Sequence, residues 1–248
     1  MTRIKAVLFD YGGTIDADGI AWRDRFHSLY KKAGLKTAPE TFTKAFYKSD
    51  DNLPTRFDLS NKGLEETVRL QVDCVVKTLS QSDRALPRGS AASEAMGAAD
   101  QMASRVTEAF VAQSREAFTR NRPLLEALSK RYRLGIVSNF YGNLERILSG
   151  EGLLPLFGAV ADSRVVGVEK PEPAIFRHAL DRLGAAPEEA VMVGDSLPRD
   201  IRGAAELGMR QVFLAGPNRP ADPSFPKAHL IRKLTELEDI LLKEKAAL

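Results

Sequence analysis

Short apolar runs that end in small or polar residues recur through the second half of the chain. Leu134–Asn139 (LGIVSN), Ala190–Ser196 (AVMVGDS) and Gln211–Gly216 (QVFLAG) are continuous and rich in β-branched residues. Strands buried on both faces of a parallel sheet have this pattern. Gly158–Ser163 (GAVADS) is a weaker run of the same kind. Between and after these runs, Pro173–Gly184, Ile201–Gly208 and Leu234–Glu244 place apolar residues at helical spacing, and the first two close on glycines suited to a helix C-cap. From about Arg122 onward the alternation predicts an α/β fold, a Rossmann-like doubly wound parallel sheet with helices on its faces.

The N-terminus supplies one more such strand, Lys5–Gly12 (KAVLFDYG), cut off from the others by a long stretch of different texture. From about Ile20 to Arg120 there is little β-branched alternation. Ala21–Gly34, Pro39–Ser49, Gly63–Ser80 and Ser93–Phe118 instead have helical periodicity, with breakers between them and a loop at Leu86–Ser93. The expected organisation is a core of residues 1–17 and 120–248 with an inserted all-helical domain, residues 18–119. Within the first inserted helix Phe26, Leu29 and Tyr30 fit a packed face, with Arg23 and Arg25 directed outward.

Composition narrows the class. With 248 residues, 44% hydrophobic and 28% charged, the chain can bury a full core, which excludes a disordered tail or a disulfide-stapled miniprotein. Its 36 basic and 33 acidic residues nearly cancel, so no nucleic-acid partner is expected. Cys74 is the single cysteine; its apolar setting marks a small buried hydrophobe, and its solitude fits a reducing compartment. No stretch approaches the roughly 18 apolar residues of a membrane span, and the apolar start is too short for a secretory leader. A cytoplasmic protein without a membrane partner is the expectation; oligomeric state stays unknown. His27, His178 and His229 lack metal-like spacing and are assigned no chemistry.

Ligands of open α/β sheets bind beyond the carboxyl ends of the strands. Asp10, Ser138 with Asn139, and Asp195 with Asp200 fall at such ends, and Lys170 follows the weaker strand. Singly, each has a local explanation: Asp195 and Asp200 as helix-start acids, Lys170 before Pro171 as a surface loop, Ser138 and Asn139 as a turn. Jointly they offer a carboxylate nucleophile, a hydroxyl donor, a fixed cation and metal-suited carboxylates. Phosphoryl transfer needs that set, because its transition state spreads charge over three oxygens and is stabilised mainly by cations and donors. Attack by a carboxylate would give an aspartyl-phosphate. Mg²⁺, which prefers hard oxygen ligands, suits Asp10, Asp195 and a carbonyl. Gly12 and Gly13 let the backbone turn tightly and aim N–H groups at an anion.

These four motifs, in this order, closely resemble those of the haloacid dehalogenase superfamily, over the first strand and nearly everything after Arg122. The resemblance implies that Asp10 is the nucleophile and a Mg²⁺ ligand, that Ser138 donates to the phosphoryl group, and that Lys170 neutralises charge. It further implies that Asp195 binds Mg²⁺ directly, that Gly12 contributes its carbonyl to the metal, and that Asp200 holds Lys170 or a metal-bound water. Tyr11, Gly12, Ser138, Asn139 and Lys170 would line the site for a small phosphorylated substrate, and the helical insertion would be a substrate-selecting cap. Within that cap Arg23 and Arg56, the latter in the loop DNLPTRFD, are the candidate substrate contacts.

One position departs from the family's phosphatases. Their first motif usually has a second aspartate as general acid and base, and here Gly12 stands in its place. General acid–base catalysis contributes about 10² to 10⁴-fold. The expectation is therefore a phosphohydrolase for phosphates with good leaving groups, such as acyl or anomeric phosphates. Next comes one in which Asp16 or Asp18, expected as solvated turn residues, supplies the proton, and then a weak or inactive phosphate-binding protein. A 2-haloacid dehalogenase ranks last, since displacing a halide has no phosphate charge to neutralise.

Overall fold

The computed structural model describes residues 2–82, 92–217, 220 and 222–243. Six strands form one wholly parallel sheet: β1 (Ala6–Phe9), β2 (Arg133–Ser138), β3 (Ala159–Asp162), β4 (Ala190–Gly194), β5 (Arg210–Leu214) and β6 (His229–Ile231). Their order is β3-β2-β1-β4-β5-β6, so the first strand lies at the centre and the direction of winding reverses beside it. Every residue of β1 and β4 is buried, which explains why their sequences are continuous apolar runs rather than alternating ones.

Four of the five strands expected are shorter than the apolar runs that predict them, while β2 keeps six residues and begins one residue earlier. β1 ends at Phe9, paired with Ile136 and Val193, because the chain then turns through Tyr11–Ile15 around Gly13 at φ 91°. On one sheet face Leu8, Val137 and Met192 pack with Ile175, Phe176 and Leu180 of α7 (Pro173–Leu183), which begins on a proline and closes on Gly184 at φ 56°. The helix expected at Ile201–Gly208 is only Arg202–Glu206, preceded by a wider helical turn, Leu197–Ile201. The segment from Leu234 is likewise two pieces, Leu234–Glu236 and Glu238–Lys243, and Glu244 lies outside the described residues. β6 and the helices α5 (Leu144–Gly150) and α6 (Ser163–Val166) are too short, at three, seven and four residues, to stand out in sequence.

Contacts divide the chain into two compact units, Met1–Ala21 with Arg115–Leu248, and Trp22–Ser114. The second unit is helical: α1 (Trp22–Lys32), α2 (Pro39–Arg56), α3 (Leu64–Ser82) and the first part of α4 (Ala92–Ser129). The loop expected at Leu86–Ser93 lies outside the described residues as far as Ala91. α2 continues through Pro54, so Arg56 ends a helix instead of sitting in a loop; the Phe57 N–H still bonds to Leu53 across the break. α4 extends past Phe118 because Leu124, Leu125 and Leu128 keep its apolar stripe going. Arg25 also departs from expectation. It is buried, with its guanidinium 3.9 Å from the Phe110 ring centroid and 2.9 Å from Ser114 Oγ, since cation–π and hydrogen bonds offset its desolvation. Among the described residues no helix is long and apolar enough to cross a membrane.

Leu8 is fully buried at the middle of the central strand. Leu8→Ala should lower unfolding free energy in a urea titration by roughly 2–5 kcal/mol; a loss below 1 kcal/mol would contradict this packing.

Candidate active site

The winding reverses at β1, where ligands of such sheets bind, and the polar residues there come from three strand ends, one loop and the helical turn Leu197–Ile201. Asp10 is one residue past β1, and its N–H donates to Val193 O at 2.9 Å. Ser138, the last residue of β2, donates from Oγ to Asp10 Oδ1 at 2.7 Å. Lys170, from the loop before α7, places Nζ 2.8 Å from the same oxygen and 2.6 Å from Asp200 Oδ1. The other oxygen of Asp200 accepts from the Ser196 N–H at 2.9 Å. Asp195 follows β4 and lies 3.5 Å from Thr14 Oγ1.

Asp10, Asp195 and Asp200 are all buried, and one ligand oxygen of each lies within 4.8 Å of the others. Two of the three, Asp10 and Asp200, pair with one buried ammonium. Burial alone would lower the Lys170 pKa, but Asp10 and Asp200 outweigh it and hold the ammonium above its ordinary value. Asp195 is pushed well up, by burial first and then by the charges of Asp10 and Asp200. Burial likewise raises Asp200 to about 6, against the pull of Lys170. Hard oxygen donors carrying excess negative charge fit a divalent cation of the Mg²⁺ kind.

Two glycines make this convergence possible. A Cβ on Gly13 would lie 2.6 Å from Asp195 Oδ2, and one on Gly194 would lie 2.3 Å from Asp200 Oδ2, so either side chain would displace an acid. Gly12 is different: at φ −75° and ψ 112° its backbone would accept any residue. The Tyr11 ring is buried, edge-on to Phe140 at 5.4 Å and tilted against Phe118 at 6.2 Å. The side-chain amide of Asn139 lies against the main chain of Lys170.

The turn acids do not behave as solvated residues. Asp16 is 1% exposed and accepts from the Gly13 N–H at 2.7 Å, so that donor is already engaged. Asp18 pairs with Arg120 at 2.9 Å and accepts from the Leu234 N–H at 3.1 Å. A tight glycine turn leaves N–H groups facing inward, and a nearby carboxylate satisfies one of them. Thr14 is a site neighbour that sequence reasoning passed over; only its place in the turn after Asp10 could have flagged it. In the helical unit Arg23 pairs with Asp24 at 2.6 Å, and His27 stacks on Phe42.

In metal-free protein the raised pair binds more protons folded than unfolded above its ordinary 3.8, Asp200 up to about 6 and Asp195 in the same direction. Its contribution to stability therefore falls as pH rises through that window. Asp195→Asn should flatten this fall and raise the metal-free melting temperature at pH 7 by a few degrees. A lower melting temperature at pH 7, measured by calorimetry in EDTA, would show that the like charges are not in conflict.

Comparisons with known proteins agree in direction. A family model described as haloacid dehalogenase-like hydrolase matches residues 4–208. The chain is 37% identical to the phosphoserine phosphatase of Thermus thermophilus over 160 residues, 61% of each protein. It is 40% identical to the glyceraldehyde 3-phosphate phosphatase of Methanothermobacter thermautotrophicus over 93 residues, 37% of this chain and 41% of that one. The matches thus span less than two thirds of those relatives. The crystal structure of a HAD phosphatase from Thermococcus onnurineus is 29% identical, with 98% of this chain and all of that one covered, at a TM-score of 0.54. With the family model spanning β1 to β4 and the whole aspartate cluster, this chain belongs to the haloacid dehalogenase-like hydrolases.

Proposed function

We propose that the protein is a Mg²⁺-dependent phosphohydrolase acting on a small phosphorylated metabolite through an aspartyl-phosphate on Asp10. The observation that carries this reading is the double engagement of Asp10 Oδ1 by Ser138 and Lys170, at 2.7 and 2.8 Å. Those contacts fix the carboxylate and leave Oδ2 to attack. Oδ2 forms a bond to phosphorus as the bond to the leaving oxygen breaks. Water then attacks the phosphorus, releasing phosphate and restoring the carboxylate. Ser138 and Lys170 serve both substrate and nucleophile, donating to oxygens whose charge grows during transfer.

Asp10, Asp195 and the Gly12 carbonyl would hold the metal, with Asp200 beside Lys170. Asp200 suits that place because its oxygens already serve Lys170 and the Ser196 N–H. The bound cation would neutralise phosphoryl charge. Residues 18–119 serve in this reading as the substrate-selecting cap, with Arg23 and Arg56 as candidate contacts. The lone buried Cys74 fits a cytoplasmic setting.

The named relatives act on alkyl phosphates, whose leaving oxygen needs a proton. Gly12 cannot supply one, which favours acyl or anomeric phosphates here. The same glycine is the observation behind a second reading, a weak or inactive protein that binds phosphorylated ligands.

Phosphate release from acetyl phosphate, glucose 1-phosphate and p-nitrophenyl phosphate should require Mg²⁺ and vanish in Asp10→Asn. No release on any of them, together with thermal stabilisation by phosphorylated ligands, selects the binding reading. Gly12→Asp, which the backbone tolerates, should accelerate an alkyl phosphate at least about 10-fold more than p-nitrophenyl phosphate. Equal effects on both would mean that another group already delivers the proton.

A further inference from the structure

Lys170 is buried, yet it stands on a loop, between the short helix Ser163–Val166 and α7, and not on a strand. Its ammonium bridges Asp10, just past β1, and Asp200, within the turn Leu197–Ile201, so small shifts of the loop would break both contacts. Asn139, directly after β2, meets the loop's main chain at that residue. Its Nδ2 donates to Lys170 O at 3.1 Å, and its Oδ1 accepts from the Lys170 N–H at 2.7 Å. One planar amide therefore grips both backbone groups of a single residue. The pairing imitates one rung of a strand ladder, continued past the point where β2 itself ends.

We propose that Asn139 is a positioning residue for Lys170: its side-chain amide sets where the lysine backbone stands relative to Ser138 and Asp10. The proposal rests on the phosphohydrolase reading above and assigns Asn139 a task other than direct substrate contact. Geometry supports the assignment. Ser138 and Asn139 are consecutive, so one rigid strand end delivers the Asp10 hydroxyl donor and the clamp on the Asp10 cation together. Two hydrogen bonds with opposed donor and acceptor roles fix the loop against both sliding and rotation, which a single bond would not. Phosphoryl transfer depends on placing charge to within a fraction of an ångström, and misplacement by about 1 Å can cost 10²-fold in rate.

A double-mutant cycle between Asn139 and Lys170 tests this, with p-nitrophenyl phosphate as the probe and Mg²⁺ present. Asn139→Ala should lower kcat at least about 10-fold with a smaller change in KM. In a Lys170→Met background the same substitution should change nothing further, because the residue through which it acts is gone. Equal losses in both backgrounds would overturn the proposal, as would an Asn139→Ala variant with wild-type kcat. A purely structural role for Asn139 would lower the melting temperature and carry its loss into either background. If Lys170→Met does not fold, Lys170→Gln, which can still hydrogen-bond Asp10 and Asp200, takes its place.

If the wild-type protein hydrolyses no phosphate ester, the catalytic reading fails, and the cycle is then measured as orthovanadate affinity by calorimetry. Loss of affinity on Asn139→Ala only when Lys170 is present upholds the clamp. Equal loss in both backgrounds, or no loss in either, refutes it.

Discussion

The structure depends on one buried ammonium. Lys170 Nζ lies within 2.8 Å of a carboxylate that follows β1 and 2.6 Å of another from the turn after β4. A buried ion pair gives weak net stability, because desolvation of both partners offsets the attraction, but removing one partner leaves an unpaired charge. The site therefore tolerates Lys170 only where both acids are, and both acids only where Lys170 is. Three features position these groups: a parallel sheet with β1 central, a glycine turn after it, and a loop that carries Lys170 to its end.

One ammonium does not balance the acids around it. Asp10, Asp195 and Asp200 converge, and Asp195 is pushed well above its ordinary pKa by burial and by its two neighbours. A core selected for stability alone would not gather such a set, and perturbed carboxylates in a cleft are a mark of function. Gly13 and Gly194 belong to the same compromise. Each gives up side-chain packing so that a carboxylate can occupy the space where its Cβ would be.

Five of the six strands, their parallel arrangement and the strand-end residues were legible in the sequence because each rests on a local signal. Buried parallel strands are continuous apolar runs, and chemistry in such sheets gathers at their carboxyl ends. What was not legible depends on contacts between distant residues. Arg25 has the sequence position of a surface arginine and is buried only because Phe110 and Ser114 receive it. Asp16 sits in a run that reads as a polar turn, and its burial follows from the inward-facing Gly13 N–H. β6 is three residues long, below the length at which alternation means anything. The contact of Asn139 with the Lys170 main chain was not legible either, because nothing local places that backbone opposite it.

Asp16 alters the electrostatics of the proposed reaction more than its place in a turn suggests. The glycine turn after β1 offered N–H groups to an incoming anion, but the Gly13 donor is spent on Asp16, which also adds to the charge felt by Asp195. A phosphoryl group entering this site would meet Asp10, Asp16, Asp195 and Asp200, with Lys170 the cation paired to them among the described residues. Each like-charge pair at 4 Å is unfavourable by about 4 kcal/mol at an effective dielectric of 20. Ser138 and the remaining N–H groups are neutral donors and cannot offset several such terms. A divalent cation held by Asp10 and Asp195 would offset two of the three excess negative charges. In the proposed mechanism the metal is thus needed for the anion to enter at all, before it has any part in the transition state.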